Sequence, residues 1–190
     1  IIDRYDKTLV IKLYTPAWVP HLKELFLALV QIQPFERLIL RLSRSLNKQP
    51  KYLYGLTNGM TITGQTPESL LLFKENGLIF ECDPINGQKT GFFLDQRENR
   101  ARVRELSKNK SVLNVFSYTG GFSLYAADGG AREVVSVDFS TPATEATLRN
   151  IEYNQIRPNV KSATFETIAR DAFEVLAQMK INHRRFDMVI

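Results

Sequence analysis

Cysteine is almost missing from this chain: Cys82 is the only one in 190 residues. A lone thiol excludes an internal disulfide, and a reducing, cytoplasmic setting is the expectation that follows. Histidine is nearly as scarce. His21 and His183 stand isolated, so no metal site is expected. No apolar run approaches the length of a bilayer span, and no cationic-then-apolar leader opens the chain, so no membrane partner is expected. Internal repeats and low-complexity tracts are absent as well. The first residue is Ile1, not methionine, which points to processing or to a longer parent chain. What remains is an ordinary apolar fraction of 44%, enough for a proper core, and a net charge of +5. That mild basicity is compatible with a nucleic-acid partner without requiring one.

The first part reads as α+β. Asp6 to Tyr14 alternates as a strand would, and a helix from about Val19 to Gln31 carries Leu22, Leu25, Phe26 and Val30 on one face. Pro34 closes that region. Short strands are expected at Leu38 to Leu42, Met60 to Thr63 and Leu78 to Cys82, with Asn58-Gly59 and Asn76-Gly77 as turns. The composition changes near Asp83-Pro84, which places a domain boundary at residues 85/86. From Val112 onward strand and helix alternate. The strands are Val112–Phe116, Glu133–Val137, Ala163–Ile168 and Phe186–Ile190; the helices are Phe122–Asp128, Pro142–Asn154 and Ala172–Lys180. Such alternation means right-handed crossovers and a parallel sheet covered on both faces. A strand of that kind running into the last residue suggests that the sheet continues in a longer chain.

The segment Val112-Leu113-Asn114-Val115-Phe116-Ser117-Tyr118-Thr119-Gly120-Gly121-Phe122-Ser123 carries the most information. A buried strand stops at a double-glycine turn and a helix begins at once, the arrangement in which α/β proteins hold a nucleotide-like ligand. A second strand ends in Asp138, where a carboxylate can accept both ribose hydroxyls of a nucleoside. A dinucleotide would want Gly-x-Gly-x-x-Gly, with room for a pyrophosphate. Bulky Tyr118 and Phe122 occupy that room. S-adenosylmethionine carries no phosphate, so one glycine-lined bend suffices, and the methyl donor is favoured.

Between the halves lies Gly87-Gln88-Lys89-Thr90-Gly91-Phe92-Phe93-Leu94-Asp95-Gln96-Arg97. This block, the loop at Asn114 to Phe122 and the strand end Val135 to Asp138 together resemble the ribosomal RNA cytosine-5 methyltransferase family of class I S-adenosylmethionine-dependent enzymes. The likeness extends over the chain from about Ile2, more strongly in its second half, and Asp3-Arg4-Tyr5 resembles the opening of the family's central domain. It implies a Rossmann-like class I methyltransferase sheet, truncated after its fourth strand, in residues 86–190. A small α+β domain on the RNA or substrate side would fill residues 1–85. It also implies that the catalytic nucleophile lies beyond Ile190. Cys82, outside any motif position, is read instead as a small buried hydrophobe.

By the same resemblance, Phe116, Ser117, Tyr118, Thr119, Gly120 and Gly121 bend around the methionine part of the cofactor, and Asp138, Phe139 and Ser140 meet its ribose. Asp171 would accept from the adenine amino group, with the Ala172 amide and Phe173 near the ring, although an aspartate opening a helix is also an ordinary cap. Lys89, Gln96 and Arg97, with Asp95, would fold over the cofactor or the substrate base. Arg97, Arg100, Arg104 and Lys108 recur at helical spacing and could track RNA phosphates or simply face water. The expected partner is RNA, ribosomal RNA first, with a homodimer left open. Cytosine C5 is the leading target; guanine N7, another RNA base or a non-catalytic RNA-binding role stay open.

Overall fold

A computed structural model describes residues 1–190, which form two compact units. The first comprises residues 1–74 and 82–94, and the second residues 75–81 and 95–190. The division falls at Leu94/Asp95 rather than at 85/86, and the tip of one hairpin belongs to the second unit.

The first unit is built on a four-stranded sheet of order β1-β2-β3-β4. These strands are β1 Ile2–Tyr5, β2 Thr8–Leu13, β3 Arg37–Leu42 and β4 Thr61–Thr63. The single strand expected over Asp6 to Tyr14 starts later, because Asp6, with φ of 52°, turns the chain into a β1–β2 hairpin. Strands β2 and β3 pair in parallel, and helix α1, Leu22–Ile32, makes the crossover between them. A 3₁₀ turn over Pro16–His21 delays that helix, since Pro20 has no amide to donate. Leu22, Leu25, Phe26 and Leu29 pack on the strand residues Leu9, Ile11, Leu13, Leu38, Leu40 and Leu42. Val30, expected on that face, is exposed. The second sheet face carries an aromatic run, with the rings of Tyr5 and Phe73, and of Phe73 and Phe92, each 5.1 Å apart and edge to face. A short helix α2, Arg44–Asn47, is capped by Ser43.

A hairpin of β5, Leu71–Glu75, and β6, Leu78–Cys82, spans the division between the units. Strand β5 escapes the hydrophobic pattern because its inward residues include Glu75, which is buried. Cys82 is buried, as expected.

The second unit is α/β, as the alternation predicts. Its four strands are all parallel, in the order β10-β7-β8-β9. They are β7 Ser111–Val115, β8 Glu133–Asp138, β9 Thr164–Ala169 and β10 Met188–Val189. The helices are α3 Arg97–Leu106, α4 Gly121–Asp128, α5 Thr141–Tyr153, the short α6 Pro158–Ser162 and α7 Ala172–Ile181. Helix α7 buries Ala172, Val175 and Met179 against Leu113, Val135 and Val137. The alternate residues Asn114 and Ser136 meet Ser123 of α4 in a buried chain: Asn114 Nδ2 donates to Ser123 Oγ at 2.9 Å, and Ser123 Oγ shares a 2.7 Å bond with Ser136 Oγ. Both faces of the sheet are therefore covered, which a parallel sheet requires.

Two members of the basic stripe, Arg100 and Arg104, are tied into the fold, while Arg97 and Lys108 stay exposed. Arg100 is 2% exposed, and its guanidinium donates to both Glu75 carboxylate oxygens at 2.8 Å. Tyr125 donates to the same carboxylate at 3.0 Å. Arg104 pairs with Asp128 at 3.3 Å, and Arg97 with Glu98 at 3.1 Å. Lys108 lies beyond the end of α3. Helical spacing could not reveal this, because Glu75 and Asp128 come from distant parts of the chain.

Candidate functional site

At the C-terminal end of the parallel strands the backbone makes an unusual bend. Phe116, Tyr118 and Gly120 all adopt left-handed conformations, with φ of 58°, 49° and 73°. For the two residues with a Cβ this stores strain, which the surrounding contacts must hold. They do so by consuming the loop's own backbone groups. Ser117 N donates to Val137 O at 2.9 Å, and Gly120 N to Ser117 O at 3.0 Å. From α5, Thr147 Oγ1 donates to Tyr118 O at 3.2 Å and Asn150 Nδ2 to Thr119 O at 2.9 Å. Gly120 is required here twice over. A Cβ added to it would come within 2.4 Å of the Thr147 methyl, besides the cost of its positive φ.

Asp138 ends β8 and clamps two loops together. One carboxylate oxygen accepts from Tyr118 N at 2.7 Å and the other from Ser140 N at 2.9 Å. Each oxygen keeps a second lone pair, so the clamp is compatible with accepting further hydroxyls. Ser140 in turn caps α5, accepting from Ala143 N at 3.4 Å, with Pro142 in the first turn.

Two hydroxyls stand out. Ser117 Oγ and Thr119 Oγ1 are buried and meet no hydrogen-bond partner in the protein. Leaving such a group unmatched costs about 1–3 kcal/mol, so a polar ligand at the bend would have something to satisfy. Apolar area is on offer nearby. Phe116, Phe139 and Phe173 are exposed, and the rings of Phe116 and Phe173 meet edge to face at 6.1 Å. That contact links the bend after β7 to the loop after β9. There Asp171 caps α7, accepting from Phe173 N at 2.9 Å and Glu174 N at 3.1 Å. A glycine-containing bend, a carboxylate and exposed aromatic faces suit a cofactor with a polar head, a ribose and a flat base.

The structure thus groups residues 116–121, 138–140 and 173. Gln96 accepts from Asn99 at 2.8 Å and Arg97 pairs with Glu98, both contacts local to the start of α3. Lys89 belongs to the first unit. Sequence reasoning missed Thr147 and Asn150, whose inward polar side chains support the bend, and the role of Ser123, which bonds Asn114 and Ser136 on the strands. It also missed that α5 holds the hairpin tip: Asn150 Oδ1 accepts from Glu81 N at 2.8 Å, while Asn154 exchanges bonds with Ile79 N at 2.9 Å and Ile79 O at 2.7 Å.

Residues 5–158 match the sequence model of the S-adenosylmethionine-dependent methyltransferase family. A ribosomal RNA large subunit methyltransferase of Deinococcus radiodurans is 46% identical over the whole of this chain, which covers 45% of that protein. The ribosomal RNA large subunit methyltransferase I of Aliivibrio fischeri is 40% identical, again over the whole chain and 46% of the relative. This chain therefore spans about half the length of the curated relatives it matches. Among solved structures, the methyltransferase SMU.776 in complex with SAH superposes with a TM-score of 0.83 at 26% identity, covering 99% of this chain and 46% of that one.

Proposed function

The chain belongs to the S-adenosylmethionine-dependent methyltransferase family, and from that membership we propose that it forms the cofactor-holding part of an enzyme methylating a base of large-subunit ribosomal RNA. Cytosine C5 is the base atom we assign. The observation that carries the cofactor reading is the strained bend at Phe116–Gly121 with its two unmatched buried hydroxyls beside the Asp138 carboxylate. S-adenosylmethionine, when bound, supplies an electrophilic sulfonium methyl. The protein's own contribution at this site is orientation, since a correctly held reactant removes much of the entropic barrier.

In this reading Ser117 and Thr119 offer their hydroxyls to the polar head of the cofactor, and the Gly120–Gly121 turn allows the close approach that a side chain would block. Asp138 accepts the ribose hydroxyls with the lone pairs its backbone clamp leaves over. Phe139 and Ser140 border the ribose. Asp171, already fixed as a helix cap, accepts from the adenine amino group beside the Ala172 amide, and Phe173 and Phe116 flank the ring. Gln96, half-buried at the start of α3, and the exposed Arg97 close over the cofactor's carboxylate, for which an arginine fork is well suited.

The RNA reading is supported by the names of the curated relatives, which are ribosomal RNA large subunit methyltransferases. The choice of cytosine C5 is supported by the three motif blocks alone. The test is incubation of the full-length protein with large-subunit ribosomal RNA and isotopically labelled S-adenosylmethionine, followed by nucleoside mass spectrometry. Labelled 5-methylcytidine is expected. A labelled purine, such as 7-methylguanosine, would overturn the base assignment. Absence of any labelled nucleoside would overturn the catalytic one.

A further inference from the structure

The first unit contains a cavity of about 490 Å³ whose charged lining is of one sign: Lys12, Arg41, Arg44 and Lys89. No aspartate or glutamate is in its wall, and the rest is mostly amide side chains and the backbone near Gly87. The cluster is built into the fold. Lys12 of β2 and Arg41 of β3 are direct neighbours across the parallel pair, an arrangement that like charges disfavour. Arg41 is 8% exposed, and its guanidinium is anchored on Asn58 Oδ1 at 3.2 Å, Pro84 O at 2.9 Å and Gly87 O at 2.9 Å.

The Gly87–Gly91 motif is the other wall. A Cβ on Gly87 would lie 2.4 Å from Asp83 O, and one on Gly91 3.0 Å from the same atom. The turn is therefore too tight for side chains at either glycine. Thr90 ties it down, donating to Asp3 Oδ2 at 2.5 Å and bonding Tyr5 Oη at 2.9 Å. Lys89, left-handed at φ of 51°, sits at this turn, and its carbonyl accepts from Lys12 Nζ at 3.0 Å. Burial, followed by the charges of Arg41, Lys89 and Arg44, holds the Lys12 ammonium below the usual lysine range, and Asp3 opposes them.

We propose that this cleft binds the phosphodiester backbone of the substrate RNA, with Lys12, Arg44 and Lys89 contacting phosphate and Arg41 as the fixed base of the site. The inference rests on the RNA-methyltransferase reading. It places Lys89, which the family resemblance set over the cofactor or the substrate base, against the RNA backbone. A bound polyanion relieves the mutual repulsion of the cations. The wall holds no aromatic ring, so it reads backbone and position rather than stacked bases.

The test is fluorescence anisotropy of a labelled single-stranded ribosomal RNA fragment with the full-length protein. Each lost phosphate contact should remove about 0.7 unit from the salt slope, or roughly fivefold in affinity at 0.1 M salt. The double variant Lys12→Gln, Arg44→Gln should bind roughly 25-fold more weakly, with a slope about 1.4 units shallower, and keep its affinity for S-adenosylhomocysteine. Arg44→Gln alone, at an exposed position, should show the single step if the double variant folds poorly. An unchanged slope and affinity overturns the proposal. So does a variant that loses binding of inorganic phosphate yet holds RNA as before, which would make the cleft a small-anion site. If the wild-type protein binds S-adenosylhomocysteine but no RNA, the RNA reading itself fails first.

Discussion

The two units offer opposite means of meeting the ligands proposed for them. The second unit fixes its bend with backbone: three left-handed residues, carbonyls held by α5 and one carboxylate spanning two amides. What it leaves for a ligand is two hydroxyls and aromatic faces, with Asp138 as the nearest acid. The first unit fixes a tight turn and presents four cations on its cleft. A small molecule with an amino-acid head, a sulfonium and a nucleoside needs shape and directed hydrogen bonds, and a rigid bend supplies them. A polyanion needs charge at roughly the right spacing, and side chains on strands suffice. On the proposed reading, shape serves the cofactor and charge serves the RNA.

The largest effect should come from testing where one unit ends. Glu75 lies on a hairpin that begins in the first unit, yet its carboxylate is buried against Arg100 and Tyr125 of the second. Removing one member of a buried pair strands the other charge and costs about 3–5 kcal/mol. Glu75→Ala should lower the melting temperature of the second unit sharply, as followed by calorimetry. A loss comparable to an exposed-pair deletion would mean that the hairpin tip is not integral to that unit.

A smaller loss is expected at the bend. Gly120→Ala combines an unfavourable left-handed alanine with overlap onto Thr147, together about 1–3 kcal/mol. Chemical denaturation should show it. An unaffected midpoint would mean that the bend yields easily, and the contrast between a rigid and an adaptable site would soften.

The smallest effect, and one of opposite sign, belongs to the cationic cleft. Lys12 has a folded pKa below its ordinary 10.5, so folding disfavours its proton. The penalty stands in full below the folded pKa and is relieved as pH rises through it. Lys12→Gln should therefore raise the melting temperature slightly at neutral pH, and the gain should shrink in alkaline solution. Stability would rise as RNA affinity falls. A variant that is less stable at neutral pH would show that Lys12 serves packing rather than ligand.

How much of this was legible depended on which side chains carried the signal. The parallel sheet could be read because Val112–Val115 and Val134–Val137 lie in buried strands, and the bend because Gly120–Gly121 interrupts such a run. Asp138 was visible as an acid ending a strand. The supports of the bend were not. Thr147 and Asn150 are polar residues buried on α5, and a helix face of that composition looks solvated in a sequence. The same ambiguity in reverse hid Arg100, whose partner Glu75 sits 25 residues earlier on a strand masked by its own buried charge. The cleft escaped notice because its four cations come from three separate segments that only the β2–β3 register and the Gly87–Gly91 turn bring together.

The central claim is that the Phe116–Gly121 bend and Asp138 hold S-adenosylmethionine. It is tested most directly by titration calorimetry of S-adenosylhomocysteine and of NAD with the full-length protein, wild type and Asp138→Ala. Binding of S-adenosylhomocysteine without binding of NAD is expected, weakened by about 1–3 kcal/mol in the variant, the cost of unpaired polar groups. Tight NAD binding, or an affinity for S-adenosylhomocysteine indifferent to Asp138, would contradict the account.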